Sequence, residues 1–196
     1  MARLRDVLVD EIPEVLQPVY QRFIDSYGPY ENLARVVGHR PPAVKNLLGL
    51  MMGLAEEELV SPRYIEIAVV TVSALNGCRY CLAHHAAYLI KHGLPPEAPA
   101  AILDDQPPGF DAVDLLVRDY AIQVTRNYAN VDDSFFTRLR AHFSEEQIVE
   151  LTLRTALTSF YNRFNEVMQL QMEAPAIAAL AASGATDIPL PDYDLD

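Results

Sequence analysis

Between Ser61 and Pro96 the punctuation of the chain forces two helices to follow one another across a single short turn. Ser61-Pro62 sets a capping serine before a proline in the first turn, which is a helix start. Ile65, Ala68, Val69, Val72 and Leu75 then recur at helical spacing and make an apolar stripe. Asn76-Gly77 breaks that helix, and a second begins around Cys78. It ends at Lys91-His92-Gly93, where Gly93 is placed as a C-terminal cap and Pro95-Pro96 prevents continuation. An antiparallel helix pair is the arrangement this spacing predicts.

The rest of the chain carries the same kind of signal. Arg3 to Tyr27 has helix-like apolar spacing, interrupted by Pro13 and Pro18 and stopped by Gly28-Pro29. Pro41-Pro42 starts a helix through Val44, Leu47, Leu48 and Met51. A long helix is expected from about Asp111 to Tyr128, a short one behind Asp132 or Asp133, and another opening at the capping box Ser144-Glu145-Glu146-Gln147 and running toward Leu170. The Ala-rich end and the tail Ile188-Pro189-Leu190-Pro191-Asp192 read as an extended or disordered strap. Strand patterns are nearly absent, so the fold class is all-α, and 196 residues suit one domain with one substantial core.

Composition narrows the function. A net charge of −12 argues against nucleic acid and against anionic membrane surfaces as partners. The longest apolar run, Ile67 to Leu75, is far short of the roughly 20 residues of a membrane span. The first residues mix charges of both signs before any apolar run, so no export signal is expected. With no disulfide framework, the expected compartment is the cytoplasm. A hydrophobic content of 51 % is high for a monomer and points to burial between subunits.

Cys78 and Cys81 are the only two cysteines, and they form one C-x-x-C at a helix start. There the unpaired backbone N–H groups and the helix dipole favour a thiolate. At about 100° per residue, Cys81 lies about 60° from Cys78 and His85 falls between them, whereas His84 points about 120° away. Glu66 interrupts the apolar run Ile65-Glu66-Ile67-Ala68-Val69-Val70, where a carboxylate is costly unless paired or exposed. If the helices fold back, Glu66 reaches the His85 end of its neighbour. Two thiols, an imidazole and a carboxylate then make a proton-relay and redox cluster.

This register of Glu66, Cys78, Cys81 and His85 resembles the motif of the AhpD-like superfamily. Pro62-Arg63-Tyr64-Ile65-Glu66, His84-His85, Gly93-Leu94, Ser144 to Leu151 and Tyr161-Asn162-Arg163-Phe164-Asn165 are similar to the carboxymuconolactone decarboxylase family, which includes the alkylhydroperoxidase D proteins. The resemblance covers roughly 33–170, with 171–196 as a C-terminal extension. It implies an AhpD-like helical bundle assembled as a homotrimer or homohexamer. It further implies that Cys81 attacks a small hydroperoxide and becomes a sulfenic acid, and that Cys78 donates a proton and closes the disulfide. Glu66 and His85 would relay protons through water. A thioredoxin-like or lipoyl-bearing protein would then reduce the disulfide. Tyr80 stands where alkylhydroperoxidase D has a histidine; a tyrosine there donates a hydrogen bond but is no base near neutral pH.

Rival readings attach to the same residues. A zinc site from Cys78, Cys81, His85 and Glu66 or His84 is disfavoured because structural zinc usually draws on two separated ligand pairs, so neither metal nor cofactor is expected. A decarboxylase-like lyase would use His85 and Glu66 and ignore the thiols. A non-enzymatic redox sensor or disulfide adaptor would use the thiols alone. Tyr80 and His84 are expected to flank and support the reacting groups, and His92 to cap its helix. Asn162, Arg163 and Asn165 interrupt a long apolar helix and are expected to hold neighbouring helices or subunits together, with pocket lining the lesser reading.

Overall fold

Gly77 turns the chain back on itself. It closes α4 (Pro62–Asn76) with φ +66, a left-handed conformation that a glycine adopts without steric cost, and Cys78 follows directly as the cap of α5 (Arg79–Lys91). Near the start of α4, Arg63 Nη1 donates to the carbonyl of His92, just past the end of α5, at 3.1 Å, so the pair is antiparallel.

The structure, a computed structural model, describes residues 3–27, 30–185 and 188. Its regular structure is helical, with no strand among these residues. Two short 3₁₀ turns, Val9–Glu11 and Glu14–Leu16, precede α1 (Gln17–Ser26), and Pro18 sits harmlessly in the first turn of that helix. The expected stop at Gly28-Pro29 lies outside the described residues. Next come α2 (Glu31–Val37) and α3 (Gly49–Glu57), the latter entered from a turn at Pro41–Ala43 through a wide π-helical segment, Val44–Leu48. Beyond α5 follow α6 (Ala112–Arg126), α7 (Asp133–Arg140), α8 (Glu145–Met168) and α9 (Ala174–Ser183). The expected capping box is present, with Gln147 N donating to Ser144 Oγ at 3.3 Å and Ser144 N to Gln147 Oε1 at 2.9 Å. Asp132, not Asp133, caps α7.

One expectation fails. The Ala-rich end is no extended strap: Ala174–Ser183 is a helix that packs on α5 and lays Leu180 against Ala83 and Ala86. Alanine has the highest helix propensity, Pro175 begins the first turn, and Ala83 and Ala86 on α5 are small enough to let the two helices approach closely. Of the tail expected to be extended, Ile188 packs against the core and residues 189–196 lie outside the described ones.

The central element is α4, packed against α5, α6 and α8 and buried from Ile67 through Ser73. One apolar cluster joins it to α6, α7 and the first half of α8; a second gathers Val7, Ile12, Tyr20, Phe23, α2, Leu170 and both cysteines. The cysteine turn therefore sits where the two clusters meet. Among the described residues, no helix is long and apolar enough to cross a membrane.

Candidate active site

The two sulfurs stand 2.8 Å apart as free thiols, and Cys78 Sγ also accepts from the backbone N–H of Cys81 at 3.4 Å. Asn165 on α8 donates its amide to Cys81 Sγ at 3.3 Å. Glu66 on α4 accepts from His85 Nδ1 on α5 at 2.8 Å, and the hydroxyl of Tyr30 stands 3.2 Å from His85 Nε2. All four residues expected from the C-x-x-C register thus converge, with Tyr30 and Asn165 added from distant parts of the chain.

Cys78 and Cys81 are not equivalent. A cavity of about 400 Å³ includes Cys81, His85, Glu66, Tyr30 and Asn165 in its wall, and Cys78 is not part of that wall. Cys78 is fully buried behind Cys81. Electrostatics divides them the same way. The hydrogen bond from Cys78, working against burial, pulls the Cys81 thiol down to about 7, helped by the His85 charge and the amides of Asn162 and Asn165. The same hydrogen bond, reinforced by burial, pushes Cys78 far up and keeps its proton in place. Burial works against a charged His85, but the charge and hydrogen bond of Glu66 outweigh it and raise the imidazole's pKa. The arrangement is the more readily ionised thiol facing a cavity, a thiol donating to it from behind, and an imidazole held by a carboxylate.

Tyr80, which also lines the cavity, and His84 form a second cluster around Glu173. The Tyr80 hydroxyl donates to the Glu173 carboxylate at 3.0 Å, and His84 Nε2 lies 2.8 Å from the same carboxylate. Tyr30 stacks on the His84 ring with centroids 4.9 Å apart while its hydroxyl reaches His85, so it bridges the two clusters. Glu173 also accepts from the backbone of Asn32 at 2.8 Å, fastening the end of the chain to α2. Tyr80 is therefore a strut between α5 and the segment before α9.

The expected role of Asn162 holds: its amide donates to Ser73 Oγ at 3.1 Å and its carbonyl accepts from Asn76 at 2.9 Å, tying α8 to α4. Arg163 is exposed and donates to Ser159 of its own helix. Asn165 corrects the expectation, because it faces Cys81 and the cavity. Tyr30, Arg154 and Glu173 carry no motif, and Glu150 lies in the family-like stretch Ser144 to Leu151 without a role that the sequence assigns. The one available hint was a glutamate and an arginine four apart on a helix with apolar neighbours, which reads equally as a surface ion pair.

With this geometry in place, comparison with known proteins is informative. Residues 41–111 match the model of the carboxymuconolactone decarboxylase family, a span that contains Glu66, Cys78, Cys81 and His85. The chain is similar to that family over this span, which holds α4 and α5. The uncharacterized protein YnjA of Escherichia coli K12 is 25 % identical over 165 residues, covering 83 % of this chain and 90 % of its own. The fold is shared with a peroxidase-related protein of alkylhydroperoxidase AhpD core from Ralstonia eutropha JMP134, with TM-score 0.73, 19 % identity, and 90 % and 94 % of the two chains covered. It is also shared with a debrominase, Bmp8, solved as a cysteine-to-alanine variant with 2,3,4-tribromopyrrole: TM-score 0.72, 20 % identity, 93 % of this chain and all of that one. The bundle is AhpD-like. The match covers the cysteine-bearing half of the site, whereas Tyr30, Glu150, Arg154, Asn165 and Glu173 lie outside the matched span.

Proposed function

We propose that this protein is a thiol oxidoreductase that reduces hydroperoxides. The observation that carries the reading is the asymmetry of the sulfur pair: Cys81 in the cavity wall as the readily ionised thiol, Cys78 sealed behind it with its proton retained. Cys81 thiolate attacks the terminal oxygen of R–O–O–H. The O–O bond breaks, the alkoxide leaves with the bonding electrons and takes a proton from the imidazolium of His85, and Cys81 becomes a sulfenic acid. Cys78 then attacks that sulfur, releasing water and closing the disulfide. A dithiol protein of the thioredoxin-like or lipoyl-bearing kind returns both thiols, which suits a reducing compartment such as the cytoplasm. The balance is one hydroperoxide and two thiols to one alcohol, one water and one disulfide. Mass mapping after one equivalent of organic hydroperoxide is expected to find Cys78 linked to Cys81 and the matching alcohol in solution. Unmodified thiols after that treatment would reject the reading and favour the lyase, which has no use for sulfur.

The same reading includes assembly as a trimer or hexamer. Val149, Leu153, Phe160 and Val167 are 40–58 % exposed and fall within about 40° of one another on α8, an apolar stripe that solvent does not favour. Sedimentation of the wild-type chain is expected to show an oligomer, and Phe160→Glu with Val167→Glu is expected to yield monomer. A wild-type monomer at micromolar concentration would remove this part of the proposal.

A further inference from the structure

Three buried side-chain atoms have no partner among the described residues: Glu150 Oε2, Tyr161 Oη and Asn165 Oδ1. Their residues all lie on α8 and all line the cavity beside Cys81. Buried polar atoms are almost always satisfied, so three bare ones in a single cavity outline what the cavity is built to hold. Positions 150, 154, 157, 161 and 165 share an arc of about 80° on the helix and extend about 22 Å along it. Asn165 marks the reactive end, because its amide already donates to Cys81 Sγ. Glu150 marks the far end. Arg154 occupies Glu150 Oε1 through Nε at 3.2 Å and Nη2 at 3.0 Å, which leaves Oε2 for another donor.

The chemistry of that far end is specific. Glu150 and Arg154 neutralise one another, so the pair does not select an anion. A bare carboxylate oxygen selects an O–H or N–H donor, and the Tyr161 hydroxyl can either donate or accept. Between the two ends Leu54, Val69 and Leu157 give the wall an apolar stretch. A volume of about 400 Å³ is an order of magnitude larger than the roughly 30 Å³ of a water molecule, so hydrogen peroxide alone would leave most of it unused.

We infer that the site takes an organic hydroperoxide whose apolar body carries a hydroxyl group at the end remote from the O–O bond. The remote hydroxyl donates to Glu150 Oε2 with Tyr161 beside it, and the hydroperoxide O–H donates to Asn165 Oδ1. One carboxamide then holds the sulfur through Nδ2 and the oxygen under attack through Oδ1. After transfer, the same O–H belongs to the sulfenic acid and keeps its acceptor, while the alkoxide leaves protonated by His85. The reactive half of this assignment rests on the hydroperoxide reading; recognition of the remote hydroxyl rests on the cavity alone.

The experiment separates the two. Calorimetric titration of the reduced protein with 4-propylphenol and with its isostere 4-propyltoluene measures recognition without any O–O bond. The phenol is expected to bind about tenfold or more tightly than the arene, the usual scale for a hydrogen bond to a charged acceptor. Glu150→Gln and Tyr161→Phe are each expected to reduce that preference to about twofold or less. Tyr161→Phe keeps the ring and its packing, so it remains informative if Glu150→Gln misfolds. Equal wild-type affinity for the two probes, or a preference untouched by Tyr161→Phe, overturns the inference. A clear preference in a protein that ignores every hydroperoxide would leave the recognition site standing and reject only the reaction.

Discussion

Cys81→Ser is expected to abolish hydroperoxide consumption, and Cys78→Ser to limit it to a single turnover with the sulfenic acid retained. The first loss is expected to be on the order of a thousandfold or more, because a serine hydroxyl is not appreciably ionised near neutral pH and its oxygen is a poor nucleophile toward an O–O bond. The second is a different phenotype because Cys78 is not in the cavity wall. The serine variant takes away the resolving sulfur but keeps an O–H donor toward Cys81. Cys78→Ala removes the donor as well, and with it the hydrogen bond that most lowers the Cys81 pKa, so its first turnover is expected to lose part of its rate at neutral pH and recover it in alkali. In the wild type, alkylation of Cys81 is expected to rise through about pH 7, where the thiol ionises, and to level off above it. His85→Gln removes a positive charge that favours the thiolate and moves that rise to higher pH. Stopped-flow peroxide assays and alkylation followed by peptide mapping read all of these. If both serine variants consume peroxide as the wild type does, the sulfur mechanism is wrong.

The parts of this site that were legible in the sequence are those fixed by local spacing. Helix pitch alone puts Cys78, Cys81 and His85 on one face, and the single-glycine turn brings Glu66 within reach of His85; the 2.8 Å contact between them follows from both. Asn165 was harder, because a polar residue on a long helix reads first as a tie between neighbours, and three residues earlier Asn162 has that role. Tyr30 and Glu173 sit 55 and 89 residues from the histidines they contact, beyond any periodicity argument. The Ala-rich end misled for a different reason. A helix of nearly uniform small residues has little apolar–polar contrast, so its amphipathic signal is weak although its helix propensity is high. Local rules thus recovered the sulfur pair with its imidazole and carboxylate, and the rest of the cavity wall came from long-range packing.

Arg63→Met is expected to destabilise the fold by about 3 kcal/mol, the low end for breaking a buried ion pair because the arginine keeps some solvent contact. Arg63 donates Nε to Asp114 Oδ1 at 2.9 Å and Nη2 to Oδ2 at 2.6 Å, a bidentate pair with a carboxylate that has no solvent exposure. It also holds the carbonyls of His92 and Gly109, each at 3.1 Å. One side chain therefore ties the start of α4 to the end of α5 and to the first turn of α6. Without it, the buried Asp114 retains the backbone N–H of Asp111 as its donor among the contacts seen here. For a chain of this length the loss corresponds to a fall in Tm on the order of 10 °C, measurable by calorimetry. Adding Asp114→Asn is expected to recover a large part of it, because the cost comes from a stranded charge and not from a missing attraction. A double variant that loses the sum of the two single changes would contradict that account. Arg63 is also one turn from Glu66 on the same helix, so slack at this anchor should loosen the carboxylate that holds His85. The single variant is accordingly expected to shift the pH profile of Cys81 alkylation upward even at temperatures where it remains folded.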